Sequence, residues 1–312
     1  MTLDPVLAAL LGSVPKITQP IDWEMVRQSA GSLLPLIVGS EPQDKVASVE
    51  AREIPGPDGA VSLRVYRPTK PSNITLHYIH GGGWTVGDLA TVDHTMRYLC
   101  EALPAVVVSS TYRLAPEHPF PAAFEDTLAA AQWTIEHVAE LGGDPAQLAI
   151  GGDSAGGNLA AAVTIALRDM APAGAHPLKA QLLLYPAVDL RPTAWTSPSR
   201  VADADPSLPC DAIRATADAY IQDSDTNDWR LSPLAAADLS GLPAAVVVVL
   251  TVDPLRDEGI AYAERLQQGS GAELIEFPNL THGFTHLRRI VPAAAVASDE
   301  VLEHFRALMA AN

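Results

Sequence analysis

The chain has 312 residues, 48% of them hydrophobic and 18% charged, enough apolar side chain for one large buried core and too little charge for a disordered polymer. With 37 acids against 20 bases the net charge is −17, a field that repels phosphate backbones and anionic lipid, so no nucleic acid partner is expected. Two cysteines, Cys100 and Cys210, are too few for a disulfide framework, and no run approaches the ~18 apolar residues of a membrane span.

The opening MTLDPVLAALLGSVPK has an apolar run at 6–11 with no basic segment ahead and no cleavage site behind. It reads as a helix of the mature chain, with a cytoplasmic location as the default. From Lys45 the text becomes strand-like: KVASVEAREI, the turn Gly-Pro-Asp-Gly at 56–59, then VSLRVYRP, an antiparallel hairpin. Six further strands follow, ITLHYI, AVVVSS, QLAIGG, AQLLLYP, AAVVVVLT and ELIEFP. The central ones are continuous apolar runs, as in parallel strands covered on both faces. Helical patterns separate them at 93–103, 122–141, 155–168 and 257–268, with a final helix at about 298–311. Two stretches, 1–44 and 189–228, do not fit the βα repeat and are read as the two parts of a cap over a core formed by 45–188 and 229–312.

Gly152-Asp153-Ser154-Ala155-Gly156 lies between a strand and an Ala-rich helix. Small residues on both sides of the serine allow the sharp turn of a nucleophile elbow, whereas an N-cap serine beside glycines would have no chemistry. About 70 residues earlier, ITLHYI runs into His80-Gly81-Gly82-Gly83-Trp84, a glycine loop suited to an oxyanion hole. Its expected donors are the amides of Gly82, Gly83 and Ala155. No Lys or Arg lies between His80 and Met96, which counts against phosphate binding. His80 precedes the glycines and is expected to brace the loop.

On such a fold the base follows the serine, leaving His176, His282, His286 and His304. His282, in Asn-Leu-Thr-His-Gly-Phe just past ELIEFP, is the candidate. A metal pair of His282 and His286 has no third ligand nearby. For the acid, Asp253 ends a strand ahead of Pro254, while Asp257 and Glu258 compete from a first helical turn, where acids also serve the helix dipole. Trp84 and Asp153 are candidate substrate contacts.

Residues 80–84, Tyr-Arg-Leu-Ala-Pro-Glu-His at 112–118, the pentapeptide at 152–156, Asp-Pro-Leu-Arg-Asp-Glu-Gly at 253–259 and His-Gly-Phe at 282–284 occur together and in order. The chain thereby resembles the hormone-sensitive-lipase-like (bacterial family IV, GDXG) carboxylesterases over nearly everything beyond residue 44. The resemblance implies an α/β-hydrolase fold, with a mostly parallel eight-stranded sheet flanked by helices and a helical cap. It further implies hydrolysis of short- to medium-chain esters without a cofactor. The family's nucleophile, acid and base carry over to Ser154, Asp253 and His282, and its oxyanion donors to Gly82, Gly83 and Ala155. Trp84, where the family also uses Phe, is expected to narrow the pocket, and the prolines of 119–122 are expected to include a cis bond. A lactone hydrolase, an amidase or peptidase, a deacetylase and a non-catalytic receptor of small ligands all remain open on this scaffold. The last strand offers a pairing edge for a homodimer.

Overall fold

The computed structural model describes residues 21–38, 44–172 and 174–311; the helix read at 6–11 lies outside the described residues. Eight strands form one sheet: β1 (Ser48–Gly56), β2 (Gly59–Arg67), β3 (Thr75–Ile79), β4 (Val106–Ser110), β5 (Leu148–Asp153), β6 (Ala180–Leu184), β7 (Ala244–Leu250) and β8 (Ala272–Phe277). The order across the sheet is β1-β2-β4-β3-β5-β6-β7-β8. The β1/β2 hairpin closes at Gly56 and Gly59 as the turn signal requires, β2 joins β4 antiparallel, and every pairing from β4 to β8 is parallel.

Both faces of the central strands are covered, which is why those strands read as unbroken apolar runs. Ile150, Leu183 and Val247 pack under α4 (Ala155–Met170), whose alanines allow the helix to lie close to the sheet. Their neighbours Ala149, Leu182 and Val246 face the other way, onto Met96 and Leu99 of α2 (Asp93–Ala102) and Val301 and Phe305 of α8 (Pro292–Ala310). Further helices are α1 (Trp23–Val38), α3 (Ala122–His137) and α7 (Arg256–Gly269).

Two differences from the sequence expectation concern helices. The final helix begins at Pro292, about six residues before the expected start, with proline in its first turn, where a missing N–H costs nothing. The stretch 189–228, which looked aperiodic, holds α5 (Pro198–Ala202) and α6 (Cys210–Ile221). Prolines at their starts broke the pattern that a longer helix would have shown. The bonds before Pro116 and Pro121 are cis. Strand β8 pairs with β7 and forms the edge of the sheet, with Leu274 exposed.

Because β3 and β5 to β8 run parallel, their carboxyl ends share one rim, where ligands of α/β sheets collect. Register fixes the neighbours there: Ile79 pairs with Gly152, Asp153 with Leu184, Leu184 with Val248, and Leu250 with Phe277. The segments carrying His80, Ser154, Asp253 and His282 therefore leave β3, β5, β7 and β8 on the same side of the sheet.

Candidate active site

Ser154 sits between β5 and α4 with φ 55° and ψ −119°, a conformation that costs an L-residue about 1–3 kcal/mol and persists where the surroundings enforce it. The enforcement is visible. Ser154 N–H donates to Leu184 O at 2.9 Å, and Ser154 O accepts from the amides of Asn158 and Ala187. A Cβ at Gly156 would meet the main-chain oxygens of Ile79 and His80, so only glycine lets α4 start this close to β3. The Asn158 side chain donates to Ala187 O and Leu231 O, tying the start of the helix to the segment after β6 and to the chain just past 189–228.

The glycine loop is held from beneath by Asp153. Its Oδ1 accepts from Tyr78 Oη at 2.9 Å and from Gly81 N–H at 3.1 Å, and its Oδ2 lies 3.2 Å from His286 Nε2. Burial raises the pKa of this carboxyl, but the contacts from His286, Tyr78 and His80 outweigh it and hold it below the usual range. Asp153 thus borders the cavity as an anion whose two oxygens are already engaged by Tyr78, Gly81 and His286. His80 braces the loop: its Nδ1 is 2.7 Å from Gly81 O, and its ring stacks on Tyr112 at 4.4 Å. Gly82 and Gly83 have φ of 117° and 57°, values open to glycine at no steric cost. Among the described residues, the amides of Gly82, Gly83 and Ala155 donate no hydrogen bond.

His282 and Asp253 meet across 29 positions of sequence, Nδ1 to Oδ2 at 2.7 Å, with Asp253 1% exposed. Burial lowers the His282 pKa. The charge and hydrogen bond of Asp253, then the charges of Asp205 and Asp153, more than offset this and leave it above its ordinary value of 6.5. The other ring nitrogen has no partner among the described residues, and neither has Ser154 Oγ; both residues line one cavity of about 410 Å³. Asp257 and Glu258, the competing acids, turn elsewhere. Asp257 accepts from Ser199 N–H, and Glu258 forms a buried pair with Arg200 at 2.6 Å.

The cavity wall is mostly apolar. Trp23 and Val26 of α1, Leu208, and Ala212 and Ile213 of α6 face the glycine loop and Trp84. Trp84 is 2% exposed and stacks on Tyr220 of α6 at 4.8 Å and 5°, so it packs between the loop and 189–228 while bordering the cavity. Arg27 of α1 is fixed by Thr85 O, Ala115 O and the carboxylate of Glu117. Among the described residues no group of three or more His, Cys, Asp or Glu is placed to hold a metal ion, and no helix is long and apolar enough to cross a membrane.

Sequence reasoning missed Asp205 and the place of His286. Asp205 is 1% exposed and accepts His282 N–H at 2.6 Å. His286 lies in a single 3-10 turn (Phe284–Leu287), with Nδ1 3.2 Å from Thr95 Oγ1 and Nε2 on Asp153. A histidine four residues after the candidate base was the available signal for the second. Nothing local separated Asp205 from its acidic neighbours Asp203 and Asp211.

Residues 76–286 match a family model described as an alpha/beta hydrolase fold. Carboxylesterase NlhH of Mycobacterium tuberculosis is 39% identical over 95% of this chain and 93% of its own length. Carboxylic ester hydrolase LipN of the same organism is 43% identical over 81% of this chain and 69% of its own. Among solved structures, a hyperthermophilic esterase from Pyrobaculum calidifontis superposes with a TM-score of 0.91 at 36% identity, covering 100% of both chains.

Proposed function

Since the chain belongs to the hormone-sensitive-lipase-like family IV of α/β-hydrolase carboxylesterases, we propose that it cleaves short- to medium-chain carboxylic esters through Ser154, His282 and Asp253. The observation that carries the assignment is the His282 ring. One nitrogen is committed to a buried carboxylate and the other is open in the cavity that Ser154 also lines.

In this mechanism Ser154 Oγ attacks the ester carbonyl while His282 Nε2 takes its proton. Asp253 holds the tautomer with the proton on Nδ1 and stabilises the imidazolium. The amides of Gly82, Gly83 and Ala155, which have no other acceptor among the described residues, receive the oxyanion, each contributing on the order of 3 kcal/mol in such sites. His282 then protonates the departing alcohol, leaving an acyl group on Ser154. A water deprotonated by His282 releases the acid and restores the serine. No cofactor is needed for any step.

Residues 1–44 and 189–228 are assigned to the cap. Support comes from its described part, in which α1, the turn at 203–208 and α6 supply cavity wall. A cavity of about 410 Å³, at the lower end of small-molecule sites, favours short and medium acyl groups. The exposed Leu274 on the β8 edge makes a homodimer through that edge part of the same assignment.

Nitrophenyl esters from acetate to palmitate, set beside lactones and N-acetyl amides, test the substrate class. The expected maximum is at butyrate to octanoate; a preference for lactones or amides would replace the ester assignment. Ser154→Ala is expected to fold normally, to lose ~10⁶-fold in kcat and to escape fluorophosphonate labelling. Retained turnover of nitrophenyl butyrate by that variant would remove Ser154 from the mechanism.

A further inference from the structure

His282 is held from two directions. Asp253, just past β7, grips its ring; Asp205, on the turn between α5 and α6, grips its main chain. Asp205 Oδ2 accepts His282 N–H at 2.6 Å, while Oδ1 accepts from the amide and hydroxyl of Ser207 at 2.8 and 2.6 Å. Among the described residues three donors and no acceptor face this buried carboxyl, an arrangement that suits the ionised form.

That ionisation is costly. Burial, the largest influence, and the charge of Asp253 raise the Asp205 pKa, the bonds from His282 and Ser207 and the charge of His282 lower it, and the balance lies above the usual carboxylate range. If accepting N–H and O–H bonds were the whole task, a neutral side chain would avoid the cost. A charge kept here has to act on something, and the group nearest to needing one is the imidazole, which becomes cationic in each proton transfer. The charged groups facing His282 are Asp253 from the loop after β7, Asp205 from the 189–228 segment and Asp153 from the end of β5, while Tyr185 packs its ring edge-on at 4.7 Å. The turn bearing Asp205 also supplies Leu208 to the cavity wall, and α6 directly after it supplies Ile213 and Thr216.

We propose that Asp205 is a positioning residue for the reaction: through the His282 amide it sets the imidazole toward Ser154, and its charge favours the imidazolium. This rests on His282 being the base. It makes the segment that touches the substrate the same one that seats the base, so the base is competent only while the 203–208 turn is docked on it.

Asp205→Asn removes the charge at nearly constant shape, and Ser207→Ala removes one donor to Asp205 while leaving the charge. With folding checked by circular dichroism and competent sites counted by fluorophosphonate titration, Asp205→Asn is expected to lower kcat ~10-fold at a KM within about 2-fold of wild type. The acidic limb of its kcat/KM profile is expected at lower pH, because a carboxylate that raises the His282 pKa is gone. Ser207→Ala is expected to lower kcat ~3-fold and leave the limb in place. A folded Asp205→Asn enzyme with the wild-type limb or the wild-type kcat overturns the assignment. If Asp205→Asn does not fold, an unaltered kcat in Ser207→Ala overturns it instead. Failure of the underlying premise registers separately, as turnover by His282→Ala.

Discussion

Two histidines line one cavity, four residues apart in sequence and each beside an aspartate, and they are bonded in different ways. His282 spends one nitrogen on Asp253 at 2.7 Å and keeps the other open. His286 spends both, on Asp153 at 3.2 Å and on Thr95 at 3.2 Å. The aspartates differ as well. Asp253 accepts the Leu255 amide besides the ring, so it is an end point that orients His282. Asp153 is a junction that gathers Tyr78, Gly81 and His286 under the glycine loop. A histidine beside a buried carboxylate is therefore not enough to propose a base; among the described residues, His282 keeps a ring nitrogen without a partner and His286 does not.

The largest expected contrast is between the histidines. His282→Ala is expected to lose ~10⁵-fold or more in kcat on nitrophenyl butyrate, and His286→Ala no more than ~10-fold. Equal losses would mean that the second pair takes part in proton transfer. Next come the acids. Asp253→Asn is expected to lose ~10⁴-fold by favouring the wrong tautomer. Asp153→Asn is expected to lose ~10- to 100-fold in kcat through a loosened oxyanion loop, with a lowered Tm in thermal melts. The smallest effect is on pH dependence. His282 must be neutral to accept a proton, and its pKa lies above 6.5. Activity is therefore expected to rise with pH through a midpoint above 6.5. A kcat/KM profile already flat at pH 6 would contradict the electrostatics of the first pair.

The same contrast explains what the sequence could reveal. The elbow and the glycine loop were legible because their backbones demand small residues at fixed, contiguous positions: Gly156 against Ile79 and His80, Gly82 at positive φ. The pairing of Asp253 with His282 was legible from their places in the loops after β7 and β8. The alternation of strands and helices was legible because a two-sided sheet writes its burial into continuous runs. The contacts of Asp205 with His282, Asp153 with His286 and Glu258 with Arg200 join positions 77, 133 and 58 residues apart. They depend on how loops dock, which leaves no periodicity to read. Helix α5 was hidden for a related reason: it has five residues, fewer than two turns, too few for a 3.6-residue repeat to register.

The closeness of Gly156 to β3 also bears on how this enzyme can change over time. Even a methyl group there would run into two carbonyl oxygens that have nowhere to retreat, so inherited variation and laboratory libraries alike are barred from that seam. Diversification toward new esters has to be written instead at Trp23, Leu208, Ile213 and Thr216, where the wall is made of side chains. Of these, Leu208 sits three residues from Asp205 and carries a hidden liability: a swap that shifts its turn would disturb the Asp205–His282 contact along with the pocket.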